Sequence, residues 1–382
     1  MPAEMTSADR LKAAFAGETP DRVPILFRGI DPWNVHFSGQ VERAKVLLER
    51  GADARLSLGV PTPAHPEVTV EHRREDARPW PVLRQTWHTP AGDLTAAVQI
   101  TPDWQTEYIP LYSDHAWSRG VEYLVKTEDD LDPLRYVLHD PREGDLSGFF
   151  ASAERVRAQA DELGVIVQGN MTPAPLFAMG FLGGERTMLL VRDDPDLVRA
   201  ALAVVHEWTT ALLQVLVEAP IDCVYRSNCY ETVDLFSPTD IREFFMPLLR
   251  ADAEIIHQAD LPFHGFAQTG IMPLLEDWAD AGVDIISSLD PLGPNAMDLG
   301  ECRRRVGDRV CLMGGVDNRA PFIEGTPEAM ERHVVEVLRI LAPGGGYVLS
   351  PAGMIFPEGK PENIQAMIDA GRKWGEYPLD LH

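Results

Sequence analysis

The sequence predicts a (β/α)8 barrel of the TIM type with a β-rich insertion in its N-terminal third. From about residue 150 to the C-terminus, short apolar strands alternate with amphipathic helices. Strands that are apolar throughout are typical of a parallel sheet buried on both faces. Seven or eight such units favour a barrel over an open sheet. The insertion is predicted because residues 64–125 carry tryptophans among Thr, Val and Pro.

The N-terminal elements come in a recognisable order. Residues 7–16 form a predicted helix, and residues 22–27 form a predicted buried strand that ends at Arg28. Within 64–125, the sequence Pro90-Ala-Gly-Asp93 predicts a hairpin turn. Because no Gly/Ser linker flanks this segment, we interpret it as an insertion and the whole chain, 1–382, as a single domain.

The second part of the chain contains the repeated units of the barrel. Predicted strands cover residues 165–167, 221–225, 261–263, 283–286, 310–313 and 347–349. The predicted helices cover residues 151–163, 196–218, 240–259, 271–281, 298–307, 327–341 and 361–374. No glycine-rich nucleotide-binding motif opens any of these helices, so nucleotide-dependent chemistry has no support.

Composition excludes several classes of function. The 382 residues include 34 Lys and Arg against 59 Asp and Glu, a net charge of −25. A chain this acidic repels a phosphate backbone and an anionic membrane surface, so neither nucleic acid nor membrane is an expected partner. The four cysteines lack CxxC spacing and no secretory signal precedes them, which favours the cytoplasm. The most apolar stretch, 200–219, is interrupted by charged residues, so no transmembrane helix is expected.

Candidate site residues were sought at the carboxyl ends of the strands, where (β/α)8 barrels carry their active sites. Arg28 and Arg226 follow the first predicted strand and the strand at 221–225. Arginine pairs well with a carboxylate, so a small anionic substrate is predicted. The alternative is that each arginine pairs internally with an Asp or Glu and only holds a loop.

Other polar residues at the strand ends complete the predicted site. His264 is the candidate acid or base, since histidine titrates near neutrality. Asp317 and Tyr230 are further candidates for proton transfer. Each of these three could instead be structural: a hydrogen-bonded strand-end histidine, a loop-capping aspartate or a wall residue. The remaining predicted substrate-binding residues are Asn170, Asn228, Gln268 and Asp290.

Several segments, in this order and spacing, resemble the uroporphyrinogen decarboxylase superfamily. They are Thr19-Pro-Asp-Arg-Val-Pro24, Thr89-Pro-Ala-Gly-Asp-Leu-Thr95, Phe236-Ser-Pro-Thr-Asp240, Ala281-Gly-Val-Asp284, Gly314-Gly-Val-Asp317 and Ala342-Pro-Gly-Gly-Gly-Tyr347. The resemblance spans most of the chain and implies a (β/α)8 barrel, often as a homodimer. The superfamily also contains cobalamin-linked methyltransferases.

The chain departs from the motifs of both branches. The methyltransferase branch uses His-x-Cys and a late Cys to bind zinc, but here His264-Gly265-Phe266 and Gly353 stand at these positions. No metal and no cofactor are therefore predicted. The porphyrin-binding branch has an Arg-rich stretch, of which Arg28-Gly-Ile-Asp-Pro32 keeps only the first arginine. A large polyanionic macrocycle needs more cations, so the substrate is expected to be smaller.

Three functions follow from these residues and this resemblance. The first is cofactor-independent decarboxylation or lyase chemistry, in which arginines bind a carboxylate and His264 or Asp317 transfers a proton. The second is methyl transfer from a methylated small molecule to a corrinoid protein or a thiol, through an altered metal site. The third is a binding protein that kept the fold without the chemistry.

Overall fold

Parallel strands form the centre of the molecule. The structure, a computed structural model, describes residues 4–28, 37–267, 269–293 and 295–381. Seven strands pair in parallel in the order β1-β6-β7-β8-β9-β10-β11. Their bounds are β1 Arg55–Leu58, β6 Ile166–Met171, β7 Cys223–Ser227, β8 Phe263–Phe266, β9 Ile285–Leu289, β10 Cys311–Val316 and β11 Tyr347–Pro351.

The first predicted strand, 22–27, is reduced to isolated bridges. Ile25 bridges in parallel to Leu349 in β11, and Leu26 bridges in parallel to Asp53 just before β1. The buried Asp53 carboxylate accepts a hydrogen bond from the Ile25 backbone at 2.8 Å and ion-pairs with Arg10 and Arg22. The segment thus connects the two edge strands of the sheet through a few backbone hydrogen bonds, to Leu349 and Asp53, and through the Asp53 side chain. The predicted barrel is confirmed in part, as a curled parallel sheet of seven regular strands.

Helices surround this sheet, and most of them cover its outer face, as the predicted alternation requires. Among the described residues they are α1 Ser7–Phe15, α2 Gln40–Glu49, α3 Asp114–Trp117, α4 Leu131–Val137, α5 Ser147–Leu163, α6 Ala174–Leu182, α7 Gly184–Asp193, α8 Pro195–Val217, α9 Pro238–Asp240, α10 Met246–Gln258, α11 Leu275–Asp280, α12 Leu299–Val306, α13 Ala320–Ile323, α14 Pro327–Leu341 and α15 Pro361–Trp374. A π-helical turn, Ile241–Phe245, joins α9 to α10.

The interior of the curled sheet is apolar at its amino end. The inward side chains Leu26, Ile166, Cys223, Ile285 and Val348 form one buried cluster with residues of α1. Because α1 and these side chains fill the amino end in the described structure, the carboxyl end of the strands is the side from which a ligand can enter the interior.

The predicted β-rich insertion is a separate antiparallel sheet. Its four strands, β2 Thr69–Glu75, β3 Val82–Thr89, β4 Gly92–Gln99 and β5 Gly120–Glu122, pair in chain order. The turn between β3 and β4 lies where Pro90-Ala-Gly-Asp93 predicted it. This sheet packs on α4, which fixes it to the body of the molecule.

Helix α8 is the one helix among the described residues that is long and apolar enough to cross a membrane. This result considers only the length and composition of the helix. In the structure, 56% of the most apolar window of α8 is buried inside the protein. The helix packs against α6, α7 and α10. These contacts are those of a core helix.

Candidate active site at the carboxyl end of the barrel

A cavity of about 430 Å³ opens at the carboxyl end of the sheet, between β1, β6 and β7. Neither Asp nor Glu lines it in the part of the chain that the structure describes. The polar residues that line it are Arg28, Gln40, Arg43, Arg55, Ser57, Tyr112, Gln168, Asn170, Thr172, Tyr225 and Ser227.

Strand register explains why these side chains meet. Successive side chains of a strand point to opposite faces, so the residues that alternate with the outward Leu56 and Leu58 point inward. These are Arg55 and Ser57, and the latter is in register with Gln168 of β6. Further round the sheet, Tyr225 of β7 is in register with His264 of β8. Inward positions above the apolar cluster are therefore polar, which leaves room for a ligand.

Three arginines give this cavity a positive potential. The Arg28 guanidinium lies 3.2 Å from the centre of the Phe266 ring and 5.7 Å from that of Tyr225, a stacked arrangement that orients it. Burial, with contributions from the neighbouring charges of Arg43 and Arg28, lowers the pKa of Arg55 to about 10. At neutral pH Arg55 is still charged, so positive charges concentrate in the cavity, and no Asp or Glu is among the described residues of its lining.

His264 is buried beside these arginines. Its side chain is 2% exposed, and neither Nδ1 nor Nε2 has a hydrogen-bond partner among the described residues. Burial lowers the pKa of His264 to about 3, with contributions from the charges of Arg55 and Arg28. The imidazole is therefore neutral near pH 7, and its predicted role as acid or base stays a prediction. It can still donate one hydrogen bond from its N–H.

Tyr225 stands next to His264 with a second unpartnered group. The two rings meet edge to face, with centroids 5.0 Å apart. Tyr225 Oη is buried and makes no hydrogen bond in the described structure, although Ser227 lies nearby. Burial raises the pKa of Tyr225, so its hydroxyl remains protonated. Two neutral hydrogen-bond donors thus lie side by side among the arginines.

Arg226 faces away from the cavity, and its predicted role in substrate binding is wrong. Its side chain is fully buried, donating to Glu231 Oε1 and to Asp252 Oδ2, each at 2.8 Å. Its place on β7 explains this, because the residue next to inward Tyr225 must point outward to the helices. The sequence prediction ended the strand at Tyr225, whereas β7 continues to Ser227.

Asn228 belongs to the same network and is likewise not a cavity residue. Its amide oxygen faces Arg226 Nη1, and its amide nitrogen donates to the Arg226 carbonyl at 2.9 Å. The side chain is fully buried. The alternative that these strand-end polar groups only hold structure is the one that the geometry supports for both residues.

Asp317 and Asp290 lie on loops outside the lining of the cavity. Asp317 accepts hydrogen bonds from the backbone of Arg319 at 2.9 Å and Ala320 at 3.2 Å, so it caps the start of α13. Its role in proton transfer stays a prediction. Asp290 accepts from the Leu292 backbone at 2.9 Å. Burial raises the pKa of Asp290, and the charge of Asp317 adds to this. Both act as loop-capping carboxylates.

The remaining predicted residues have mixed outcomes. Asn170 lines the cavity, and its Oδ1 accepts from Gln168 Nε2 at 2.7 Å. Tyr230 is outside the cavity lining, and burial together with the charge of Asp114 raises its pKa to about 12. Gln268 lies outside the described residues. The role of Asn170 in substrate binding stays a prediction.

The zinc site that the methyltransferase resemblance implies does not fit these residues. Phe266, at the position of the first Cys, is covered by the Arg28 guanidinium. At Gly353, the position of the late Cys, even a Cβ atom would lie 2.8 Å from Asn318 Nδ2. The described residues contain no group of three His, Cys, Asp or Glu side chains able to hold a metal ion.

Sequence reasoning missed Arg43, Arg55 and Tyr225. The strand β1 was not predicted, although Arg55-Leu-Ser-Leu58 alternates polar and apolar residues in the way of a half-buried strand. Tyr225 was placed in a strand without regard to its direction. Counting inward positions from the apolar end of each strand would have identified Arg55 and Tyr225.

Comparison with known proteins agrees with this architecture. Residues 120–374 match the uroporphyrinogen decarboxylase (URO-D) family, and the chain belongs to that family. The uroporphyrinogen decarboxylase of Coxiella burnetii strain Dugway is 29% identical over 209 residues, 52% of this chain and 55% of that protein. That of Alkalilimnicola ehrlichii is 29% identical over 376 residues, 95% of this chain and 93% of that protein.

Other matches are shorter or more distant. The chain aligns with about half the length of the Coxiella relative and of the Chlorobaculum tepidum uroporphyrinogen decarboxylase, which is 26% identical. Among solved structures, a methyltransferase from Methanosarcina mazei superposes with a TM-score of 0.61 at 20% identity, covering 97% of this chain and 99% of that one. This last likeness concerns the fold. Family membership indicates an enzyme.

Proposed function

We propose that the protein is a cytoplasmic, cofactor-independent decarboxylase that acts on a small carboxylic acid. The observation that carries this proposal is the concentration of Arg28, Arg43 and Arg55 on a cavity whose described lining has no acidic side chain. A volume of about 430 Å³ is in the range of small-molecule sites, which are roughly 300–1,000 Å³.

The electrostatics of the cavity favour an anion. The lowered pKa of Arg55 has a contribution from the charges of Arg43 and Arg28, which means that both destabilise the charged form of Arg55. A bound carboxylate relieves this repulsion and accepts charge-assisted hydrogen bonds, which contribute about 1.5–3 kcal/mol each. Arg28 is held by stacking and Arg55 by its strand, so both are oriented before the ligand arrives.

Decarboxylation is the reaction that family membership supports best. When the carbon–carbon bond to the carboxylate breaks, neutral CO2 leaves and the negative charge stays on the remaining fragment. The arginines can stabilise that charge in its new position, provided that the substrate delocalises it. Methyl transfer loses support because the residues do not fit the zinc site that it uses in the resembling branch.

A panel of small carboxylic acids tests the proposal. Each acid is incubated with the protein, and CO2 release is followed by NMR with ¹³C-carboxyl label. We expect turnover of at least one acid, and a KM raised about 10- to 100-fold in Arg55→Gln, the loss of one charge-assisted bond. Arg339→Gln, an exposed arginine that bonds the Leu381 backbone, is the matched control.

The result also separates decarboxylation from simple binding. Acids that bind in an Arg55-dependent way with no CO2 release would identify a binding protein and refute the decarboxylase. Release of CO2 that is unaffected by Arg55→Gln would move the active site away from this cavity.

A further inference from the structure

Two buried polar side chains at the edge of the cavity have unpaired polar atoms: Tyr225, which lines the cavity, and His264, which packs against it. Both ring nitrogens of His264 and the hydroxyl oxygen of Tyr225 lack a hydrogen-bond partner in the described structure. Buried polar groups in native proteins are nearly always paired, because an unpaired one loses its bonds to water without compensation. Unpaired donors on two adjacent side chains beside a cavity therefore point to a ligand atom as their partner.

The two side chains are adjacent on the inner face of the sheet. Tyr225 and His264 are in register on neighbouring strands, with their ring centroids 5.0 Å apart. Arg28 lies over Tyr225 and Phe266, with its Cζ 5.7 Å and 3.2 Å from their ring centres. The donors and the cation converge on the same part of the barrel interior. A ligand whose carboxylate meets the arginines would bring a neighbouring atom to the two donors.

Both donors are neutral, and this determines which kind of ligand atom they can stabilise. The surrounding arginine charges and burial prevent protonation of His264, and burial keeps the proton on Tyr225. Neutral N–H and O–H donors in a site of low dielectric stabilise an oxygen that becomes negative during the reaction, and a neutral imidazole is known to act in this way. A carbonyl oxygen that becomes an enolate oxygen has this property.

We propose that Tyr225 and His264 form an oxyanion site, and that the substrate is a 3-oxo acid, whose ketone is β to the carboxylate. This rests on the proposed decarboxylase function. The bond between the carboxylate carbon and the α-carbon breaks, and its electron pair forms a double bond to the ketone carbon. The carbonyl π pair moves onto the oxygen, which the two donors stabilise. CO2 leaves, and a proton from water reaches the α-carbon and restores the ketone.

Steady-state kinetics with oxaloacetate and acetoacetate test the inference, with succinate and 3-hydroxybutyrate as matched acids that lack the ketone. We expect CO2 release only from the 3-oxo acids. Loss of one oxyanion donor typically lowers kcat by about 100- to 1,000-fold, so Tyr225→Phe should lower kcat by about 100-fold with little change in KM. His264→Gln, which keeps an N–H donor, should retain more activity than His264→Leu.

Two controls separate chemistry from folding. Tyr136→Phe removes a hydroxyl from a different surface cleft and should keep full activity. Melting curves of all variants report whether the fold survives. An unchanged kcat in folded Tyr225→Phe and His264→Leu would overturn the oxyanion site.

A binding measurement distinguishes this inference from the proposed function. Oxalate, a planar dianion that resembles an enolate of a keto acid, is titrated calorimetrically into each variant. If no acid is decarboxylated, the proposed function fails, but a tenfold weaker oxalate affinity in Tyr225→Phe still supports the oxyanion site. If another class of acid is decarboxylated and the 3-oxo acids are not, the proposed function stands and this inference fails. Oxalate that does not bind, or that binds all variants equally, also overturns it.

Discussion

Arg226 provides the sharpest test of how the arginines at the barrel end divide their roles. The change Arg226→Met keeps the length of the side chain and removes its charge. Glu231 and Asp252 then remain as buried carboxylates, 4% and 0% exposed, without the cation that faces both. Removing one partner from a buried ion pair costs about 3–5 kcal/mol, and we expect a loss of that size in the free energy of unfolding.

The same change should depend on pH in a defined direction. Burial already raises the pKa of Glu231, and Arg226 opposes that rise. Without Arg226 the pKa of Glu231 increases further, so the folded variant binds a proton more tightly than the unfolded chain. Stability of the variant therefore increases as pH falls through the folded-state pKa of Glu231 and decreases as pH rises through it. The loss relative to the native chain should be smaller at pH 5 than at pH 8.

Equilibrium unfolding in urea measures the loss, with Arg242→Met as the matched control. Arg242 pairs with Asp277 at 2.8 Å, but its side chain is 48% exposed, so its removal should cost below about 1 kcal/mol. In the absence of urea, Arg226→Met should bind carboxylates with the same affinity as the unsubstituted protein. The reasoning is refuted if Arg226→Met is as stable as the control, or if a stable Arg226→Met loses carboxylate binding.

Three further predictions concern the cavity and the packing around it. Carboxylate affinity should be constant from pH 5 to pH 8 and fall above about pH 10, because the pKa of His264 is about 3 and that of Arg55 about 10. Calorimetry across this pH range measures the affinity, and a change in affinity near pH 6.5 would contradict the prediction. Arg28→Ala should raise KM for an acid at least about 10-fold with unchanged melting, and an unchanged KM would remove Arg28 from the site. Gly180→Ala should destabilise the fold by about 1–3 kcal/mol in urea unfolding, since its Cβ would overlap the Trp117 ring, whereas Gly184→Ala, with open space, should not.

The helices and the alternation could be predicted from the sequence because their signals are local. The predicted helix 327–341 has the bounds of α14, and 361–374 has those of α15. Each depends on apolar residues at helical spacing and on a proline at its first turn, and the structure bears these signals out. Patterns within one element need no knowledge of its neighbours.

The site could be predicted only in part, because a strand's direction is set by its pairing. The strands predicted at 221–225 and 261–263 extend to Ser227 and Phe266, and a shift of one residue moves a side chain to the other face. Because of that difference, the sequence predicted Arg226 in the cavity, whereas the structure directs its side chain toward the helices. Strand β1 was missed because Arg55 and Ser57 replace the apolar residues expected inside a barrel. Polar residues at such inward positions are typical of a ligand cavity.

The contrast between the arginine-lined cavity and the acidic exterior affects how ligands arrive. With a net charge of −25, the surface repels every anion at long range, and salt screens that repulsion beyond about 8 Å at physiological ionic strength. A monovalent or divalent acid meets a small barrier before it reaches the arginines. A polyanion meets repulsion over a much larger area of the surface. The exterior therefore discriminates among anions by their charge, and the cavity then discriminates among them by shape. Added salt should accelerate the association of a small acid with the protein, because it screens the repulsion.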